Sequence, residues 1–197
     1  MKRFVTQYGG FLTIGIEWFG FFLCIYIHPL DWNEPCSQYG YYVDTRILFG
    51  IGLTIASLVY YIYSRTLDRY WKYTSLLSLM AGICLSIMGW IPYQPYVQTF
   101  VFDVHNLCIT FAMILYSLPM IFIGFKKRHH MIGKLSRIFF VLIVISGLSS
   151  IIARAAGARI IPLQLFSVSV FHVWIICINI ITMRQAQKDH QQASLQL

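Results

Sequence analysis

Six apolar runs, each long enough to cross a bilayer as a helix, take up most of the chain: about 9–27, 45–63, 73–91, 102–125, 135–153 and 161–183. About 20 apolar residues at about 1.5 Å of rise each match the roughly 30 Å hydrocarbon core, whereas barrel strands would alternate over about ten residues. The expected fold is therefore all-α: a polytopic integral membrane protein with six transmembrane helices in one domain, residues 1–184, and a polar, frayed tail, 185–197. Composition agrees, since 58% of residues are hydrophobic and only 11% charged, against about 25% charged in a soluble domain. The first run resembles a signal peptide only superficially. It is too long, no small-residue cleavage site follows, and His28-Pro29 closes it, so a retained span is expected.

The basic residues set an orientation. With the amino terminus cytoplasmic, Lys2, Arg3, Arg65, Arg69, Lys72, Lys126, Lys127, Arg128, Lys134, Arg137, Arg184 and Lys188 fall on the cytoplasmic side, and only Arg46, Arg154 and Arg159 fall outside. That bias predicts both termini in the cytoplasm. It also explains the net charge of +8 without nucleic acid, for which no dense, aromatic-interleaved basic surface exists. The aromatics Trp32, Tyr39, Tyr41 and Tyr42 suit an outer interfacial belt, and Tyr60, Tyr61, Tyr63, Tyr70, Trp71 and Tyr73 an inner one. Of the five cysteines, Cys24, Cys84, Cys108 and Cys177 sit in apolar runs and Cys36 in a loop. A Cys24–Cys36 disulfide is conceivable if that loop faces an oxidising compartment.

Two polar constellations interrupt the apolar pattern. The first gathers at the outer ends of the spans: Asp44 and Arg46 opening the second, Asp103, His105 and Asn106 opening the fourth, and Arg154 ending the fifth. At one depth they would form a polar pocket in which Arg46 and Arg154 hold an anionic group and His105 orients it. The alternative is a set of interfacial residues snorkelling out of the bilayer. The second constellation is Glu17 and His172, each near the middle of its span. Closing a ring of six helices would bring the first and last together, so the two could share a hydrogen bond. The alternative is a neutral Glu17 bonded to backbone and an unrelated core histidine. In the fifth span, Ser146, Gly147, Ser149, Ser150 and Ala153 recur at separations that allow close helix approach.

Cofactor chemistry is constrained by depth. Haem would want two histidines at compatible depths, whereas His105 opens its span and His172 lies about 16 Å into its own, at about 1.5 Å per residue. No cofactor is expected; the alternative is zinc held by His105, His172 and an acid, Asp103 or Asp44, although no paired-histidine helical motif supports it. The basic loop Lys126–Lys134, with His129 and His130, suits anionic headgroups. No nucleotide-binding loop or serine elbow is present.

Pro35-Cys36-Ser37-Gln38-Tyr39-Gly40, Asp44-Thr45-Arg46, Gly89-Trp90-Ile91-Pro92 and His105-Asn106, in that layout over roughly residues 10–180, resemble the bacterial six-span family called domain of unknown function 998. More distantly they resemble the eukaryotic Frag/DRAM/Sfk group. The first loop departs from the family's small-hydrophobic-Gly flavour with Ser37-Gln38-Tyr39-Gly40. The resemblance implies six helices, a bacterial inner (cytoplasmic) membrane and, because the eukaryotic group is linked to lipid-anchor remodelling, phosphoinositide organisation and autophagy, a direction toward lipid handling. It carries over no catalytic residue. The expected function is thus binding or handling of a membrane lipid or small amphiphile at an outer-side pocket. A metal-assisted intramembrane lipid hydrolase, and a transporter or non-catalytic assembly factor, are the alternatives.

Overall fold

In the computed structural model each apolar run is a single helix: α1 Lys2–Ile27, α2 Val43–Ser64, α3 Thr74–Trp90, α4 Phe100–Lys126, α5 Met131–Ala155 and α6 Ile161–Ser194. The structure describes the backbone of residues 2–31, 35–91, 100–157 and 161–194, and the side chains of these apart from 2, 3, 5, 6, 101–103, 154 and 188–194. No strand occurs among the described residues. Stretches of five helices, the longest Ile161–Gln187, are long and apolar enough to cross a membrane, and α3 is a shorter apolar helix of 17 residues. Large apolar side chains such as Phe19, Phe22, Leu148, Ile151 and Ile152 stand exposed on the helix exteriors, a surface that water would penalise and lipid does not. The protein is, on these grounds, an integral membrane protein.

The turns are built from local chemistry. Between α2 and α3, a 3₁₀ turn at Leu67–Arg69 aims Asp68 at the start of α3, where its carboxylate accepts the Ser75 backbone N–H at 2.8 Å. An acidic group there satisfies an otherwise orphan donor and complements the helix dipole. Between α4 and α5 the chain reverses so tightly that a Cβ on Gly133 would stand 2.1 Å from the Lys127 carbonyl oxygen, which only glycine tolerates.

Each helix packs against its neighbour in sequence and α6 returns to α1, closing a ring. At the end of the ring that carries the Leu67–Arg69 turn, the interior is filled. Tyr63, Leu67, Met120, Ile123, Trp174 and Ile178 are buried in one apolar cluster, and the Trp174 indole N–H donates to Ser136 Oγ at 3.0 Å. Tyr60 and Tyr63, expected in an interfacial belt, are in fact buried at 2% and 0% exposure. They fall on the interior face of α2, where their rings add more by packing than they would at the headgroups. Tyr39, expected in the outer belt, is likewise buried, while Tyr41 is exposed; Trp32 lies outside the described residues.

The expected frayed tail is also corrected. The helix α6 continues to Ser194, because Arg184 to Gln192 contains good helix formers and neither Gly nor Pro, and Gln185 accepts a hydrogen bond from the Tyr70 hydroxyl.

Candidate functional site

The opposite end of the ring is hollow. A cavity of about 460 Å³ is lined by residues from all six helices, and by Cys36 and Ser37 of the 3₁₀ turn Cys36–Gly40 that lies at that end. The turn is anchored on both sides. Its Cys36 N–H donates to Gln164 Oε1 on α6 at 3.1 Å, and Thr45 Oγ1 on α2 donates to the Tyr39 carbonyl at 2.9 Å. Small residues make the space, since Gly52, Ala56 and Ser57 of α2 line it. The small stripe on α5 divides its role. Ser146 bonds Ser167 of α6 and so brings two helices together, whereas Gly147 and Ser150 face the cavity, and a Cβ on Gly147 would meet nothing within 4 Å.

Where the hollow meets the packed core, α1 and α6 are joined by a polar chain. His172 Nε2 lies 3.0 Å from Glu17 Oε2, and the Trp18 indole N–H donates to His172 Nδ1 at 2.9 Å. The indole can only donate, so Nδ1 is the accepting nitrogen and Nε2 carries the proton that it donates to Glu17. Adjacent residues of one helix thus grip both edges of a single imidazole and fix its tautomer. The His172 side chain is 5% exposed and that of Glu17 27%, and both line the cavity. A second tie lies further along the same pair of helices: Asn179 Nδ2 donates to the Gln7 carbonyl at 2.9 Å and its Oδ1 accepts the Gly10 N–H at 3.4 Å. A Cβ on Gly10 would approach Asn179 Oδ1 to 2.9 Å, so the missing side chain is what allows α6 this close. Trp18 and Asn179 carry no sequence signal of their own. In an apolar span an indole reads as hydrophobic and a lone amide as incidental, although a Trp beside an intramembrane Glu marks a place to look.

The outer constellation is only partly brought together. Asp44 is exposed and lies 3.7 Å from His28 Nδ1, whose ring stacks on Tyr42 with centroids 3.6 Å apart. Arg46 is half-buried, as is Asn106. His105 is buried and its Nδ1 lies 3.2 Å from the Ile91 carbonyl at the end of α3; it is not among the cavity-lining residues. The side chains of Asp103 and Arg154 lie outside the described residues, as do Glu34, Pro92, Gln98 and Arg159 altogether.

As for zinc, no group of three or more His, Cys, Asp or Glu side chains is placed to hold a metal among the described residues. His172 is occupied by Glu17 and Trp18, and His105 faces a backbone carbonyl. All five cysteines are free thiols. Burial pushes the Cys36 thiol up from 9.0 to about 11 and raises the neighbouring Tyr39 phenol well above its usual value, so both stay protonated and uncharged at neutral pH.

The site belongs to a helical membrane protein whose bundle is packed at one end and hollow at the other, with a carboxylate, an imidazole and an indole joined where the two halves meet. Compared with protein-family models, curated proteins and solved structures, the chain matches none.

Proposed function

We propose that the chain is a six-span membrane protein with both termini cytoplasmic, and that it binds a lipid or other small amphiphile in its central cavity. The cavity itself carries this reading. Its volume of about 460 Å³ falls within the roughly 300–1,000 Å³ of small-ligand sites, and an apolar lining with few, placed polar groups is their usual chemistry. The side chains that enclose it come from every helix of the ring, so the hollow is a property of the whole fold rather than a gap between two helices. A bundle that gained only from packing would lose dispersion energy by leaving this space unfilled. In this reading Asp44 and Arg46, close in sequence to the 3₁₀ turn at the cavity's end, flank the approach to the ligand, and the cavity wall contacts it.

The test uses the purified full chain in a neutral maltoside detergent with N-phenyl-1-naphthylamine, a neutral probe that fluoresces in apolar surroundings. Saturable enhancement, abolished by Ala56→Leu, which fills the cavity, is the expected result. Enhancement no greater than in detergent alone would refute the reading. Cysteines introduced at Glu34 and Gln98 should label from outside, with terminal tags on the cytoplasmic side; the reverse labelling would overturn the orientation.

A further inference from the structure

The charge of the cavity wall runs against that of the chain. The sequence has 15 Lys and Arg against 7 Asp and Glu, yet among the described residues no Lys or Arg lines the cavity, and Glu17 is the carboxylate that does. His172, held by Trp18 in the tautomer that donates through Nε2, gives Glu17 one neutral hydrogen bond at its Oε2. No protein donor among the described residues reaches the other oxygen, Oε1. A carboxylate in apolar surroundings with one neutral partner is incompletely compensated.

Aromatic rings line the same cavity. Tyr60, Tyr116 and Phe171 form a mutually contacting trio, with centroids 5.3 Å apart for Tyr60 and Tyr116, 5.7 Å for Tyr60 and Phe171, and 5.0 Å for Tyr116 and Phe171. All three line the cavity together with Trp18, whose ring centroid is 5.9 Å from that of His172. Aromatic side chains lining a cavity together with a carboxylate are the chemistry that recognises substituted ammonium ions.

We infer that the amphiphile this cavity takes is a lipophilic cation, a substituted ammonium or an equivalent hydrophobic cation, paired with Glu17 and seated against Trp18, Tyr60, Tyr116 and Phe171. The inference rests on the cavity being a ligand site and adds the ligand's charge. An anionic headgroup would meet Glu17 with no cationic side chain among the described residues of the cavity wall to offset it, and a neutral amphiphile would leave the carboxylate uncompensated. A cation supplies the missing counter-charge and needs no further charged partner, which suits a wall that is mostly apolar and otherwise uncharged among the described residues. Two sources carry this chemistry, a free hydrophobic amine and the headgroup of a choline lipid.

Tetraphenylphosphonium and tetraphenylborate, ions of near-identical shape and opposite charge, provide the test, each competing with N-phenyl-1-naphthylamine for the purified full chain. The phosphonium should displace the probe at a concentration about tenfold or more below that of the borate, because pairing a cation with a partly desolvated carboxylate is worth at least that factor. Glu17→Gln, whose amide oxygen still accepts from His172, should bring the two ions within about threefold, each compared with that variant's own probe affinity. A wild-type chain that binds the probe but prefers the borate, or shows no preference, overturns the cation and leaves the cavity standing, as does a preference that survives Glu17→Gln. A chain that does not bind the probe at all removes the cavity reading and this inference with it. A competition arm with short-chain phosphatidylcholine separates the sources: displacement at the phosphonium's concentration assigns the cation to a headgroup, and failure to displace assigns it to the free amine.

Discussion

Among the described residues two histidine–carboxylate pairs sit on this fold, and they are built differently. His28 and Asp44 meet at 3.7 Å with side chains 37% and 53% exposed. His172 and Glu17 meet at 3.0 Å with side chains 5% and 27% exposed. The first pair joins the end of α1 to the start of α2 where solvent or headgroups hydrate both partners, so its Coulombic gain is small. The second sits between helices at opposite ends of the sequence, with Trp18 holding the far edge of the imidazole. Desolvation makes such a pair costly to assemble and more costly to break on one side only. An arrangement that costs stability and faces a cavity marks a functional place; one that costs nothing at a surface does not.

The largest expected effect is at Cys36, in the 3₁₀ turn at the cavity's end. Its thiol is raised from 9.0 to about 11, and the thiolate is the reactive form, so maleimide labelling at neutral pH should run about 100-fold slower than for an unperturbed thiol. The sign follows from burial opposing the charged form. The rate should climb steadily as pH rises toward 11 and flatten above it, which a pH series of stopped labelling reactions would record. Labelling at the full rate near pH 8 would mean that the 3₁₀ turn does not close the cavity's end, and the contrast between a hydrated rim and a desolvated interior would blur.

Glu17→Leu comes next. It strands the Nε2–H of His172 in apolar surroundings, a loss of about 1–3 kcal/mol, visible as a lower midpoint of thermal unfolding in detergent by tryptophan fluorescence. Glu17→Gln should recover most of it. Trp18→Phe removes the donor to Nδ1 while keeping the ring, and should cost about 1 kcal/mol in the same assay. Equal melting of Glu17→Leu and Glu17→Gln would show that the buried pair contributes nothing by its hydrogen bond. Smallest is Asp44→Asn, which should change stability by less than about 0.5 kcal/mol. A larger loss there would erase the difference between the pairs.

The sequence and the structure agree where physics acts on runs and part where it acts on faces. Helix positions were legible because bilayer thickness sets the length of an apolar run, and the helices follow those runs within a few residues at most ends. Glu17 and His172 could be paired on paper because each interrupts an apolar span near its middle and a closed ring must join the first and last helices. The cavity could not be read, since it arises where Gly52, Ala56, Ser57 and Gly147 come to line one space, and a small residue in a sequence signals close packing and empty space alike. Tyr60 and Tyr63 were misplaced for a related reason. Tyrosine suits both a headgroup belt and a core, and only the helix's rotation about its axis decides. The outer constellation was assembled from depth alone; His105 turns to the Ile91 carbonyl and Asp44 to His28, contacts within the loops' own neighbourhood that depth does not encode.

Imidazole nitrogen NMR of the full chain labelled with ¹⁵N-histidine in detergent micelles tests the central claim, that the His172–Glu17 link is a structured wall of a ligand cavity. One histidine, identified by its loss in His172→Gln, should carry its proton on Nε2 with Nδ1 unprotonated, and both resonances should move when N-phenyl-1-naphthylamine is added to the wild-type protein and stay still in Ala56→Leu. A proton on Nδ1, or resonances that ignore a bound probe, would contradict it.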